Sequence, residues 1–132
     1  MEKQSVIEQT WDNTILILDD DMDIVEVLSE CVEKLGFNTL IENDPWRALK
    51  LVKNKPLKYI ISDYKMPGLT GWEFYKMLKT IRPDIKMGFI TGYVKDLPEE
   101  LVNNPETIIL AKPFGPREIM QLLDRLKKIK AA

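Results

Sequence analysis

Histidine is absent from this chain of 132 residues, and cysteine occurs once, at Cys31. Without imidazole there is no Ser-His-Asp or Cys-His catalysis and little basis for a zinc site. A single thiol cannot form an internal disulfide, and the opening stretch from Met1 to Asn13 is polar rather than a charged stub followed by an apolar run. A reducing, cytoplasmic setting is expected. No apolar run approaches the ~20 residues that a membrane-spanning helix needs. Charge of one sign is lacking too: 19 basic and 21 acidic residues leave a net charge of -2, which offers no footprint for gripping nucleic acid or an anionic membrane. Nor do the 6 glycines gather into a loop ahead of a helix, so nucleotide binding lacks its usual cradle. What remains is the chemistry of carboxylates, lysines and hydroxyls.

With 45% hydrophobic and 30% charged residues the composition is that of a globular protein. The length suits one domain of roughly 100–200 residues, with no room for a second, output module. The expected division is a polar leader over residues 1–13 and a domain over 14–132. Apolar runs at Thr14 to Leu18, Phe37 to Ile41, Tyr59 to Ile61, Met87 to Ile90 and Thr107 to Leu110 are too short for helices, which predicts strands buried on both faces. Helix-period segments lie between them. Ile24, Leu28, Cys31 and Leu35 step by four, three and four, with Glu26, Glu30, Glu33 and Lys34 opposite and Gly36 as a stop. Asp44-Pro45 reads as an N-cap followed by proline at the first helical position, with Ala48, Leu49 and Val52 facing inward. Phe74, Leu78 and Ile81 mark a third helix. A fifth begins near Pro116, carries Ile119, Leu122, Leu123 and Leu126, and ends in a solvated basic turn of Lys127, Lys128 and Lys130. The fourth must fit between Asp96 and Pro105 on Leu97, Leu101 and Val102 alone, and is expected to be short and mobile. Five βα units predict a doubly wound parallel sheet with helices on both faces, whose ligands bind outside the carboxyl ends of the strands.

Those ends converge on a distinctive set. The first strand runs into Asp19, Asp20 and Asp21, the third into Asp63, the fourth into Thr91 and the fifth into Lys112. Crowded carboxylates repel and gain protons unless a divalent cation neutralises them, and hard oxygen donors suit Mg²⁺. A lysine and a threonine hydroxyl beside them supply the positive charge and the donor that a transferred phosphoryl group needs on its oxygens.

Four motifs stand at these positions: Ile-Leu-Asp-Asp-Asp at Ile17 to Asp21; Ser-Asp-Tyr-Lys-Met-Pro-Gly at Ser62 to Gly68, with Gly71 after it; Phe-Ile-Thr-Gly at Phe89 to Gly92; and Ala-Lys-Pro-Phe at Ala111 to Phe114. Together they resemble a response-regulator receiver domain of the CheY-like family, over roughly Thr14 to Ile129. The resemblance implies a flavodoxin-like doubly wound (βα)5 fold with a five-stranded parallel sheet of order 2-1-3-4-5, and a Lys112-Pro113 bond that is usually cis. It implies that Asp63 is the phosphoacceptor, taking its phosphoryl group from a sensor histidine kinase or a histidine phosphotransfer protein. Asp20, the Asp63 carboxylate and the Lys65 backbone carbonyl would bind Mg²⁺, and Asp19 would hold a metal-bound water. Lys112, the Thr91 hydroxyl and the backbone N–H groups of Tyr64 and Gly92 would receive the phosphoryl oxygens. By the same resemblance, Lys65 and Tyr93 would occupy positions that tune access of the hydrolytic water. On this reading the chain is a regulatory phosphoacceptor rather than an enzyme, and it signals through an unknown downstream protein or passes the phosphoryl group onward.

Other readings of the same residues are weaker. Asp21 fits a helix cap. Asp19, Asp21, Asp23 and Glu30 mimic an EF-hand loop, but its obligatory glycine is Ile24 and a strand precedes it. Cys31 fits inert core, and Trp46 and Trp72 fit packing or surface positions. A haloacid-dehalogenase-type phosphatase would use Asp19 as nucleophile and Asp21 as acid, but no strand-end acidic pair follows Lys112. A pseudo-receiver that binds partners without phosphorylation is the remaining alternative. The family's switch position, three residues before the lysine and commonly Tyr or Phe, is Ile109. A β-branched aliphatic has few χ1 choices, so the signal is expected to move the Gly92 to Asn104 segment instead.

Overall fold

The computed structural model describes residues 11–129. Five parallel strands form one sheet: β1 (Thr14–Leu18), β2 (Asn38–Glu42), β3 (Tyr59–Asp63), β6 (Lys86–Thr91) and β7 (Thr107–Ala111), in the order β2-β1-β3-β6-β7. Between β3 and β6, β4 (Lys65–Met66) and β5 (Leu69–Thr70) make a separate antiparallel hairpin. Leaving the hairpin aside, the order is the 2-1-3-4-5 of a flavodoxin-like fold. Successive side chains of a strand point to opposite faces, so β1 feeds two cores at once. Leu16 and Leu18 join Ala48, Val52, Phe74, Leu78 and Phe89 on one side, and Ile15 and Ile17 join Val25, Leu28, Val32, Ile119 and Leu122 on the other. That two-sided demand explains the unbroken apolar run Ile15 to Leu18.

The helices are α1 (Met22–Lys34), α2 (Pro45–Asn54), α3 (Gly71–Ile81), α4 (Glu99–Val102) and α5 (Pro116–Lys128). Asp21 caps α1 by accepting from the Asp23 and Ile24 N–H groups, and Asp44 caps α2 through the Trp46 N–H. Thr70 and Glu73 form a capping box on α3. α5 buries Ile119, Leu122, Leu123 and Leu126, as its periodicity predicts.

Three expectations need correction, and one element was not expected. The inward stripe of α1 is Val25, Leu28 and Val32, while Ile24, Cys31 and Leu35 are half-buried, because α1 sits in the angle between the sheet and α5 and is rotated to serve both. β2 starts one residue later than Phe37 and is an edge strand with Asn38 and Ile41 exposed and Thr39, Leu40 and Glu42 half-buried, so none of it is buried on both faces. Val102 is exposed, which leaves Leu97 and Leu101 as the anchors of the four-residue α4. The 65–70 hairpin has no apolar run to announce it. Of the stretch predicted to precede the domain, residues 1–10 lie outside the described residues. Trp11–Asn13 form a 3-10 turn whose Trp11 packs on the core, and the Asn13 amide donates to the Gly36 carbonyl.

Candidate functional site

The carboxyl ends of β1, β3, β6 and β7 bring the predicted residues to one edge. Asp19 and Asp20 follow β1, Asp63 closes β3, Thr91 closes β6 and Lys112 follows β7. Asp63, Lys65, Thr91, Gly92, Tyr93 and Lys112 line a cleft of about 360 Å³. Lys112 Nζ stands 3.9 Å from Asp63 Oδ1. That is beyond hydrogen-bond length, so the ammonium faces the carboxylate as a loose ion pair rather than a closed hydrogen bond. Thr91 is buried, and its Oγ1 accepts from the Tyr93 N–H at 3.1 Å, leaving the hydroxyl proton for another acceptor. Gly92 faces open space. The Lys112-Pro113 bond is cis.

Asp19, Asp20 and Asp63 each offer a carboxylate oxygen, and these atoms lie within 4.8 Å of one another. Asp19 is 1% exposed. Its Oδ1 accepts from the Asp21 N–H at 2.9 Å, while its Oδ2 is buried with no hydrogen-bond partner. An orphaned buried acceptor beside two further carboxylates is what a divalent cation or its water would satisfy, and the all-oxygen donor set suits Mg²⁺. The electrostatics agree. Burial, with the Asp63 and Asp20 charges adding to it, pushes the Asp19 carboxyl from 3.8 up to about 6, against the Asp21 N–H and Lys112, which pull it down. Asp63 is raised as well, chiefly by burial, against Lys112 and the backbone N–H of Lys65.

Not every expected contact has the expected partner. The Tyr64 N–H donates to the Ile90 carbonyl at 3.0 Å, so this donor, assigned to phosphoryl oxygens from the sequence, already serves the continuation of the β3–β6 pairing. Glu42 was missed. Its backbone carbonyl accepts the Asp19 N–H at 3.1 Å and fixes the turn that carries the acidic pair. No local signal could reveal it, because the contact joins adjacent strands from distant parts of the chain.

The family model for the response regulator receiver domain matches residues 15–124. The chain belongs to that family. It is similar to the response regulator receiver protein CpdR of Brucella abortus, 26% identical over 118 residues, covering 85% of this chain and 94% of that one. It is also similar to sporulation initiation phosphotransferase F of Bacillus subtilis, 31% identical over 115 residues, covering 86% and 90%. Among solved structures, the chemotaxis response regulator CheY4 of Vibrio cholerae superposes with a TM-score of 0.75 at 25% identity, covering 87% of this chain and 98% of that one. Among the described residues of this receiver domain, no helix is long and apolar enough to cross a membrane.

Two further features lie in and near the site. Lys65 Nζ lies 4.2 Å from the centroid of the exposed Tyr93 ring, so a cation–π contact spans the mouth of the cleft. Ile109, expected from the sequence to hold the switch position, is half-buried in the middle of β7, opposite Phe89 of β6, and packs against the core shared by α2 and α3.

Proposed function

We propose that this receiver domain takes a phosphoryl group onto Asp63 from a phosphohistidine on a sensor histidine kinase or a histidine phosphotransfer protein, in the cytoplasm, and signals by changing which protein it binds. The observation that carries this reading is the Asp63 carboxylate in one cleft with Lys112 at 3.9 Å and Thr91. An Asp63 oxygen attacks phosphorus as the bond to the partner's imidazole nitrogen breaks, and the imidazole leaves with the electron pair and is protonated. Lys112 offsets charge on one phosphoryl oxygen, and the Thr91 hydroxyl donates to another. Asp19, Asp20, Asp63 and the Lys65 carbonyl are the groups that would hold Mg²⁺, which when bound neutralises the carboxylates and the phosphoryl oxygens. The protein is a regulatory phosphoacceptor rather than an enzyme with a turning-over substrate.

Asp63, not Asp19, lines the cleft, which favours this reading over a phosphatase with Asp19 as nucleophile. Incubation with acetyl phosphate and Mg²⁺ is expected to add one phosphoryl group, mapped by mass spectrometry to Asp63 and lost in Asp63→Asn. An adduct that persists in Asp63→Asn at Asp19 overturns the assignment. No adduct in the wild type favours a pseudo-receiver.

A further inference from the structure

The two helices next to the β2 edge carry opposite charge. On α1, Asp23, Glu26 and Glu30 are exposed, and among the described residues none has a cation within ion-pair distance. They stand three and four residues apart, the spacing at which like charges on a helix surface repel. On α2, Lys50 and Lys53 are exposed, three apart and equally without a carboxylate, and Arg47 precedes them by one turn, held by Glu42 at 3.0 Å and Asp44 at 3.7 Å. From Trp46 to Lys58 there are five basic residues and no acidic one. Each helix therefore carries a same-sign row that an opposite row would relieve.

The rows also match in register. Each helix carries an exposed apolar side chain in its first turn, Met22 at 62% and Trp46 at 51%. Laid parallel with Met22 beside Trp46, α1 places Asp23 beside Arg47 and Glu26 beside Lys50, with Glu30 one turn further on, next to Lys53. A thioether against an indole adds an apolar anchor at one end of the charged row.

We propose that this chain self-associates head to tail, the acidic α1 face of one copy resting on the basic α2 face of the next, independently of phosphoryl transfer. The contact is heterologous, since it joins two different surfaces, and so it extends into chains instead of closing as a symmetric dimer. Built from exposed charges around one apolar pair, it is weak, reversible and screened by salt.

The test is sedimentation velocity on the full chain from ~10 µM to ~1 mM, in ~20 mM and ~500 mM NaCl. Association that grows with concentration at low salt and weakens at least about tenfold at high salt is the expected result. The double variants Glu26→Lys/Glu30→Lys and Lys50→Glu/Lys53→Glu, each shown folded by circular dichroism, are expected to stay monomeric alone and to associate when mixed. The fourfold swap, which keeps the wild-type net charge, is expected to associate again. A wild type that is monomeric at ~1 mM and low salt overturns the proposal. So does a wild type that associates while a double variant alone associates equally well, or while both the mixture and the fourfold swap stay monomeric.

Discussion

The acidic trio makes stability, metal and pH a single measurement. In the metal-free protein Asp19 titrates near 6 instead of 3.8, so the folded state binds its proton more tightly than the unfolded chain does. The folded state therefore gains least from this group when it is ionised. Its contribution to stability is fullest below pH ~4, declines as pH rises towards ~6, and levels off above ~7. At about 1.4 kcal/mol per pH unit the gap amounts to ~3 kcal/mol. Solvent entering past exposed Asp20 screens part of that, leaving roughly 1.5–3 kcal/mol. Asp19→Asn keeps the oxygen that accepts from the Asp21 N–H but is neutral at every pH. In urea unfolding with EDTA, the stability of Asp19→Asn relative to wild type is expected to rise by roughly 1–2.5 kcal/mol between pH 4 and 8, about half of it above pH 5. Mg²⁺ needs the ionised carboxylate, so proton competition at Asp19 alone weakens its apparent affinity about tenfold at pH 5 relative to pH 8. The stabilisation by Mg²⁺ therefore shrinks in acid. A stability difference between the two proteins that is flat from pH 4 to 8 would refute the reasoning.

Three further outcomes follow from particular contacts. Gly71→Ala is expected to lower stability by about 1–3 kcal/mol in urea titration, because a Cβ there would lie 2.6 Å from the buried Phe89 ring and 2.8 Å from Tyr64; an unchanged midpoint contradicts this. Arg82 donates to the Val52, Lys55 and Leu57 carbonyls and pairs with Asp84, so Arg82→Ala is expected to cost about 2–4 kcal/mol and Arg82→Lys most of that, since one ammonium cannot reach all three carbonyls; full retention of stability by Arg82→Lys would show that charge alone matters. On beryllofluoride binding, amide exchange is expected to change across Gly92 to Asn104, where α4 rests on Leu97 and Leu101 alone, while Ile109 keeps one rotamer; unchanged exchange with a rotamer shift at Ile109 in methyl NMR reverses the assignment.

The alternation of strands and helices was legible because each rests on neighbours in sequence. A run such as Ile15 to Leu18 can only be buried on two faces, and Asp21 and Asp44-Pro45 cap helices through N–H groups two or three residues away. Once the sheet is parallel, the carboxyl ends of its strands must share an edge, so the meeting of Asp19, Asp20, Asp63, Thr91 and Lys112 was legible too. Tertiary structure alone decided the rest. The one-residue rotation of α1 towards Val25 and Val32 depends on where α5 packs, and the exposure of Ile41 depends on β2 having a neighbour on one side only. The proton affinity of Asp19, the use of the Tyr64 N–H by Ile90 and the reach of Arg82 back to Val52 belong to the same class. Local preference acts over a few residues, whereas desolvation and hydrogen bonding between elements depend on which surfaces the folded chain brings within a few ångströms.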